Sequence, residues 1–321
     1  MGGAWGNSTL RPVPPARAVW GEYGQQRLGL PLIVELLNRN GLAATFFVEA
    51  FTDEQGFPGE MEQVCHYLLE HGQDVQLHIH PGHELYGRVC RGLAPPRPGS
   101  DQLADLPAAE QLALLREGAE RLRHWTGQPP VAFRAGNMAA SEETLRQVEA
   151  AGILIDSSYT FPYAGGQCRF PAGEPFNGSK WYGGVLELAL SGFRKLPLPG
   201  LHPAKPLDLV GIGFEECRDA IGHICGAGAD AVMILHSFSM FKVRNVQYEG
   251  GRPNRIVIRR FRRLCEWLAN RPDLPAYTFS RLARAVEAGH YQPAHVPPCR
   301  LNHPRTLVRK AVQVWNGFYW T

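Results

Sequence analysis

Short apolar runs alternate with amphipathic stretches along most of the 321-residue chain, and this constrains the fold more than any other feature. Gln26 to Asn38 carries Leu28, Leu30, Leu32, Ile33, Leu36 and Leu37 at helical spacing, and Gly41 stops it. Ala43 to Val48 (AATFFV) then reads as a buried strand. The same reading gives a helix over Glu60 to Glu70, a strand over Asp74 to His80, and a helix over Ala108 to Trp125 set between Pro107 and Gly127. Next come a strand at Val131 to Arg134, a helix at Ser141 to Ala151 with an imperfect capping box, and a strand at Ile153 to Asp156. Residues 157 to 205, rich in Gly, Pro and aromatics, read as loops and short strands over one end. A helix at Glu215 to Cys225, the strand Ala231 to His236 (AVMILH) and a basic helix at Arg255 to Asn270 follow, with a strand and helix over Tyr277 to Glu287. Strand and helix in strict turn imply a parallel sheet: a barrel or partial barrel first, an open doubly wound sheet second. The divisions read as an N-terminal loop segment (1–24), an α/β barrel domain (25–288) and a C-terminal extension (289–321) in which Leu307 to Trp320 can form a docking helix.

Composition narrows the function classes. A net charge of +3 is too small to argue for a nucleic acid partner. The basic stretches at Arg255 to Arg263 and Arg305 to Lys310 read as solvated helix faces. The seven cysteines are odd in number, widely spaced and without a C-x-x-C pair, which favours reduced thiols over a zinc ribbon or a disulfide framework. No apolar run follows Met1 as a signal peptide would require, and none is long enough to cross a bilayer, so a cytoplasmic location is the expectation. Phosphate-binding loops and the G-x-S-x-G elbow are absent from the sequence.

In parallel α/β folds ligands gather at the carboxyl ends of strands, so the residues delivered there carry the chemistry. The second strand ends in His78-Ile79-His80 and is followed by Pro81-Gly82-His83; the third ends in Arg134, the fourth in Asp156, and the late apolar strand in His236. His78 and His80 lie two apart and share a face, and His83 can fold back after the Pro-Gly pair. Imidazoles so grouped suit a divalent first-row metal, zinc first, with Co, Mn or Ni also possible. Arg134 and Asp156 form either an internal ion pair or a charge-setting pair in a site. His236 is either a satisfied core histidine or a general acid for a leaving amine. Tyr159, Phe161, Tyr163, Trp181 and Tyr182 offer either a sugar platform or plain loop packing.

These pieces together resemble the polysaccharide deacetylases, the NodB-type group of carbohydrate esterase family 4. ATFFV at 44–48 looks like that family's second strand and LHIHPGH at 77–83 like its H-[ST]-x-x-H box. FRAG at 133–136, IDSS at 155–158 and ILH at 234–236 look like its arginine, aspartate and leucine-histidine motifs. The resemblance implies a distorted (β/α) barrel and an N-acetylated carbohydrate as substrate. It also implies a divalent metal held by one aspartate and two histidines, with a second aspartate as base. His78 matches the first metal histidine. The second is His83, one residue late, or its rival His80. Arg134 matches the base-orienting arginine, Asp156 the residue that tunes the catalytic histidine, and His236 that histidine. The first motif has no match, because no Asp precedes Asp53 and Glu22 is the only acidic residue before the first helix. Either Glu22 stands in as a ligand, or the barrel as written lacks its first strand. Two other functions stay open: a non-catalytic or truncated carbohydrate-binding homologue, and a hydrolase of small non-peptide amides.

Overall fold

The strands form where β-branched and aromatic residues run between chain breakers. The computed structural model describes residues 12–93, 101–170, 173–195 and 203–301. Its main sheet comprises β1 (Thr45–Glu49), β2 (Asp74–Ile79), β3 (Ala132–Ala135), β4 (Ile155–Asp156), β5 (Asn177–Tyr182), β6 (Val185–Leu188) and β7 (His295–Val296), in the spatial order β7-β5-β6-β4-β3-β2-β1. β1, β2, β3, β4 and β6 are parallel, while β5 and β7 add an antiparallel margin. Helices α1 (Leu30–Arg39), α2 (Glu60–Glu70), α3 (Pro81–Cys90), α4 (Ala108–Thr126), α5 (Glu142–Ala150), α6 (Phe214–Gly226), α7 (Arg255–Ala269) and α8 (Phe279–Glu287) cover it. A mostly parallel α/β sheet is thus present. Among the described residues it does not close into a barrel, and β1 stands at its edge.

Two apolar cores set the layers. Leu68, Leu115, Leu122 and Val148 from the helices pack on Leu77, Ile79 and Phe133 of the sheet. On the other side, Ile33, Leu36 and Leu37 of α1 meet Val257, Phe261 and Leu264 of α7. Gly118 in α4 lets that helix lie against Leu77 and Ile79, whose methyl groups already stand 3.0 and 3.2 Å from where a Cβ would be.

The structure departs from the sequence reading in four places. α1 begins at Leu30 and not at Gln26, because Gln26–Arg27 pairs antiparallel with Glu22–Tyr23 around Gly24, which takes φ +63°. The short strands expected within 157–205 do not lie over one end but join the main sheet as the hairpin β5–β6, closed through Gly183 at φ +60°. Residues 231–236 are extended but join their neighbours only through the parallel bridges Leu190↔Val232 and Asp208↔Ile234. His83 lies in the first turn of α3, since Pro81 starts that helix where a missing N–H costs nothing. The expected docking helix, the basic cluster at 305–310, and residues 1–11 of the expected N-terminal segment lie outside the described residues.

Candidate metal centre

Strand register puts the functional side chains in one row. Glu49 of β1 is paired with His78 of β2, and His78 with Arg134 of β3. Paired residues in parallel strands project from the same face, so a carboxylate, an imidazole and a guanidinium become neighbours. His80 follows one step beyond β2. Glu49, His78 and His80 bring one ligand atom each to within 4.8 Å of one another. Glu49 went unnoticed in the sequence, although it ends the TFFV strand and the strand-end rule points to it.

Hydrogen bonds decide what each group offers. His78 Nδ1 lies 2.6 Å from the Arg134 carbonyl. A carbonyl only accepts, so Nδ1 carries the proton and Nε2 keeps a free lone pair. Burial, then the neighbouring His80, hold the His78 pKa well below its ordinary value, so the ring is neutral. His80 donates Nδ1–H to Asp101 Oδ2 at 2.7 Å, which likewise leaves Nε2 free. A histidine whose far nitrogen is held by a carboxylate is the usual posture of a metal ligand. Asp101 also accepts from Gly82 N at 3.1 Å and Asn137 Nδ2 at 3.1 Å. Burial pushes the Asp101 pKa up, but the His80 hydrogen bond and charge outweigh it and the net shift is downward. Asp101 sits in a loop with no periodic signal, so only the folded chain reveals it. Asn137 and Met138 both take φ 57°, a conformation costly for non-glycine residues that aims the Asn137 amide at Asp101.

Glu49 accepts His80 N at 2.6 Å and Phe51 N at 3.0 Å, and burial raises its pKa to about 7, with His80 and these N–H groups pulling the other way. A carboxylate oxygen and two imidazole Nε2 atoms form a donor set suited to zinc and the other divalent first-row metals.

Arg134 is buried. It donates Nε–H to the Ser157 carbonyl at 2.9 Å and Nη2–H to Ser157 Oγ at 2.8 Å, and lies 4.3 Å over the Phe47 ring. Burial lowers its pKa to about 10, offset by Asp156 and Glu187, so it stays charged at neutral pH. His236 stacks on Phe238 at 4.7 Å and shares a cavity of about 830 Å³ with Glu49, His78, His80 and Arg134. It is reachable by solvent yet crowded by protein atoms. That desolvation, with the Arg134 guanidinium also contributing, draws its pKa down to about 4.

Other residues singled out in the sequence lie elsewhere. His83 is buried, stacks on His80 at 5.5 Å and meets Thr52 Oγ1 at 3.3 Å, but is not in the Glu49–His78–His80 group. Glu22 pairs with Arg27 at 2.8 Å on the exposed hairpin, beside Trp20 and His66, and does not line the cavity. Asp156 is paired in register with Phe133, one step from Arg134, so alternation sends it toward the opposite face. There it accepts from Ser158 N and Ser158 Oγ, each at 2.9 Å, beside Glu187, its neighbour in register on β6. Burial raises both carboxyl pKa values, Glu187 well above the ordinary range. Of the aromatics, Tyr163 lines the cavity. Tyr159 stacks on Phe176 at 4.5 Å in a small buried cluster with Phe161, while Trp181 is exposed.

Two predictions follow from this packing. A Cβ on Gly136 would sit 2.6 Å from His80 Nδ1, so Gly136→Ala must turn the ring and break its bond to Asp101. Metal affinity should fall by about 10- to 100-fold, the usual cost of losing an outer partner, as measured by competition with a chromogenic chelator. The second concerns His83, whose pKa burial, with a smaller push from the His80 charge, holds at about 3 against an ordinary 6.5. Between those values the folded state binds fewer protons than the unfolded one, so stability falls as pH drops through the window. In His83→Gln, urea unfolding across that window should show a slope shallower by about 1.4 kcal/mol per pH unit. An unchanged slope would mean that His83 charges without penalty.

No protein-family model and no curated protein matches the sequence. Among solved structures, a protein from Mycobacterium smegmatis described as a candidate polysaccharide deacetylase aligns over 86% of this chain and 81% of its own, at 16% identity and a TM-score of 0.51. A family 4 carbohydrate esterase from Streptomyces lividans, solved with acetate, aligns over 75% of this chain and 81% of its own, at 12% identity and a TM-score of 0.41. A peptidoglycan deacetylase from Bacillus subtilis aligns over 83% and 88%, at 13% identity and 0.39. The last two overlap too loosely to bear on the argument. Likeness at such identity speaks to fold and not to activity. The chain shares the fold of that Mycobacterium smegmatis protein.

Proposed function

We propose that this protein is a metal-dependent hydrolase that removes N-acetyl groups from an amino-sugar or polysaccharide substrate. The observation that carries the reading is the Glu49–His78–His80 group at the strand ends, facing a cavity that also holds Arg134 and His236. Glu49 Oε and the Nε2 atoms of His78 and His80 would hold a divalent cation, with zinc, cobalt, manganese or nickel all compatible with that donor set. Such a cation supplies Lewis acidity and lowers the pKa of water. His236, neutral at pH 7, can take a proton from the attacking water and pass it to the departing amine nitrogen. Arg134 keeps a fixed positive charge in the cavity wall, positions His78 through its carbonyl, and stabilises negative charge on a reacting oxygen. Asp101 orients His80, and Asp156 with Glu187 braces the sheet behind the site.

The test is direct. The purified chain should bind one divalent cation per molecule and, when loaded, release acetate from N-acetylglucosamine oligomers. Cation binding without acetate release, together with turnover of small linear amides, would move the assignment to a different amide hydrolase.

A further inference from the structure

The stretch Arg255 to Arg263, read from the sequence as a solvated helix face, becomes a track in the structure. α7 buries Val257, Phe261 and Leu264 in the core, and its outer side carries Arg255, Arg259 and Arg262, all exposed. They stand at i, i+4 and i+7, in a file about 10 Å long. At its amino end the file continues into Arg252 and Arg244, exposed on the hairpin closed by Phe241–Lys242 and Arg252–Pro253.

This arrangement works against the helix's own stability. α1, α3, α4 and α5 each pair an exposed arginine with a glutamate one turn away: Arg39 with Glu35, Arg88 with Glu84, Arg123 with Glu120 and Arg146 with Glu142. On α7, Arg263 pairs with Glu215, and Arg260 donates to the carbonyls of Leu209 and Val210. Among the described residues, Arg255, Arg259 and Arg262 have no ion pair and no hydrogen bond. Glu266, one turn beyond Arg262, is exposed and does not pair with it, and Glu249 on the hairpin accepts from Asn245 Nδ2 at 2.8 Å. Like charges at this spacing repel. Arg255 also sits in the first turn, where the helix dipole disfavours a cation and no acidic residue offsets it. An anion from outside relieves both costs.

The track starts beside the candidate metal centre. Asn254, immediately before α7, donates its backbone N–H to Met240 O at 2.8 Å and Nδ2–H to Ser239 O at 3.0 Å. Ser237–Met240 is the turn that follows His236. The amino end of α7 is therefore fastened next to His236, and the arginines lead away from it along the outer wall.

We propose that this track holds an acidic polysaccharide. The sugar whose N-acetyl group lies at the metal centre belongs to a chain with carboxylates on neighbouring units, and these run along α7. The location of the substrate rests on the deacetylase reading. A guanidinium and a carboxylate pair through two parallel N–H···O bonds. One helical turn, about 5 Å, is close to the length of one sugar unit. A bilayer fits less well, because the apolar side of α7 is committed to the core and nothing remains to insert. A nucleic acid fits less well with a net charge of only +3.

The experiment compares calorimetric binding of carboxymethyl chitin oligomers and neutral chitin oligomers of equal length. The proteins are the full chain and its triple variant Arg255→Gln, Arg259→Gln, Arg262→Gln. Glutamine keeps the helix propensity, and urea unfolding checks the fold. At about 50 mM salt the carboxymethylated oligomer is expected to bind the unmodified chain about tenfold more tightly than the neutral one, a lead that shrinks at about 300 mM. In the triple variant the two ligands are expected to bind alike. Equal binding of both by the unmodified chain, or a preference that survives the three substitutions, overturns the proposal. So does tighter binding of single-stranded DNA or of phosphatidylglycerol vesicles at the same salt. Binding is read without turnover. Absence of acetate release therefore strikes the deacetylase reading, while the arginine dependence of binding decides on the track.

Discussion

His78→Ala is expected to yield a folded protein that retains no stoichiometric cation and has lost roughly a thousandfold or more in acetate release. The ring is neutral, its Nδ1–H is committed to the Arg134 carbonyl, and its Nε2 points at Glu49 and His80. Alanine removes one of three donors and takes away the imidazole hydrogen bond to the Arg134 carbonyl, which keeps its place in the β2–β3 ladder. The second effect costs about 0.5–1.5 kcal/mol of stability, and circular dichroism with urea unfolding will show that the fold survives it. The first effect removes the electrostatic centre of the site, and loss of even one such stabilising group commonly costs 100- to 1,000-fold. Elemental analysis of the purified variant decides the matter: one equivalent of metal retained after His78→Ala, with undiminished hydrolysis, would remove His78 from the site.

His236→Ala should separate the two functions that His78→Ala loses together. His236 takes no part in the hydrogen bonds that hold Glu49, His78 and His80, so cation content should remain at one equivalent. Acetate release should fall by about 100- to 10,000-fold, the range for loss of a general acid–base group. The pH dependence carries a sign. His236 works as an acceptor only when unprotonated, and its pKa without metal is about 4. A nearby dication disfavours the imidazolium and moves that value lower still. Hydrolysis by the unmodified chain should therefore keep its His236 contribution through mildly acidic pH and lose it only below about 4. A variant with unchanged turnover would place the proton transfer elsewhere.

Legibility of the site varied with its physical origin. His78, Arg134 and His236 could be found because parallel strands export their carboxyl-end residues to one rim, and apolar runs mark where strands end. Glu49 obeys the same rule at the end of β1, but a single carboxylate after an apolar run is a weaker sign than three histidines within six residues. The choice between His80 and His83 was not available from spacing. It turned on Pro81 starting a helix that carries His83 toward Thr52, while His80 stays at the strand tip with Asp101. Glu22 offered a carboxylate at a plausible place in the chain, yet the Gly24 turn folds it back onto Arg27.

What the residues alone determined was the alternation of strand and helix, hence a parallel α/β sheet, and the convergence of imidazoles and a guanidinium at its rim. These follow from hydrophobic periodicity, which is local and survives without knowledge of neighbours. The tertiary structure decided which face each side chain takes, which nitrogen of each imidazole stays free, and where the sheet remains open. Those depend on register between strands far apart in sequence. A shift of one residue moves a group such as Asp156 from one side of the sheet to the other.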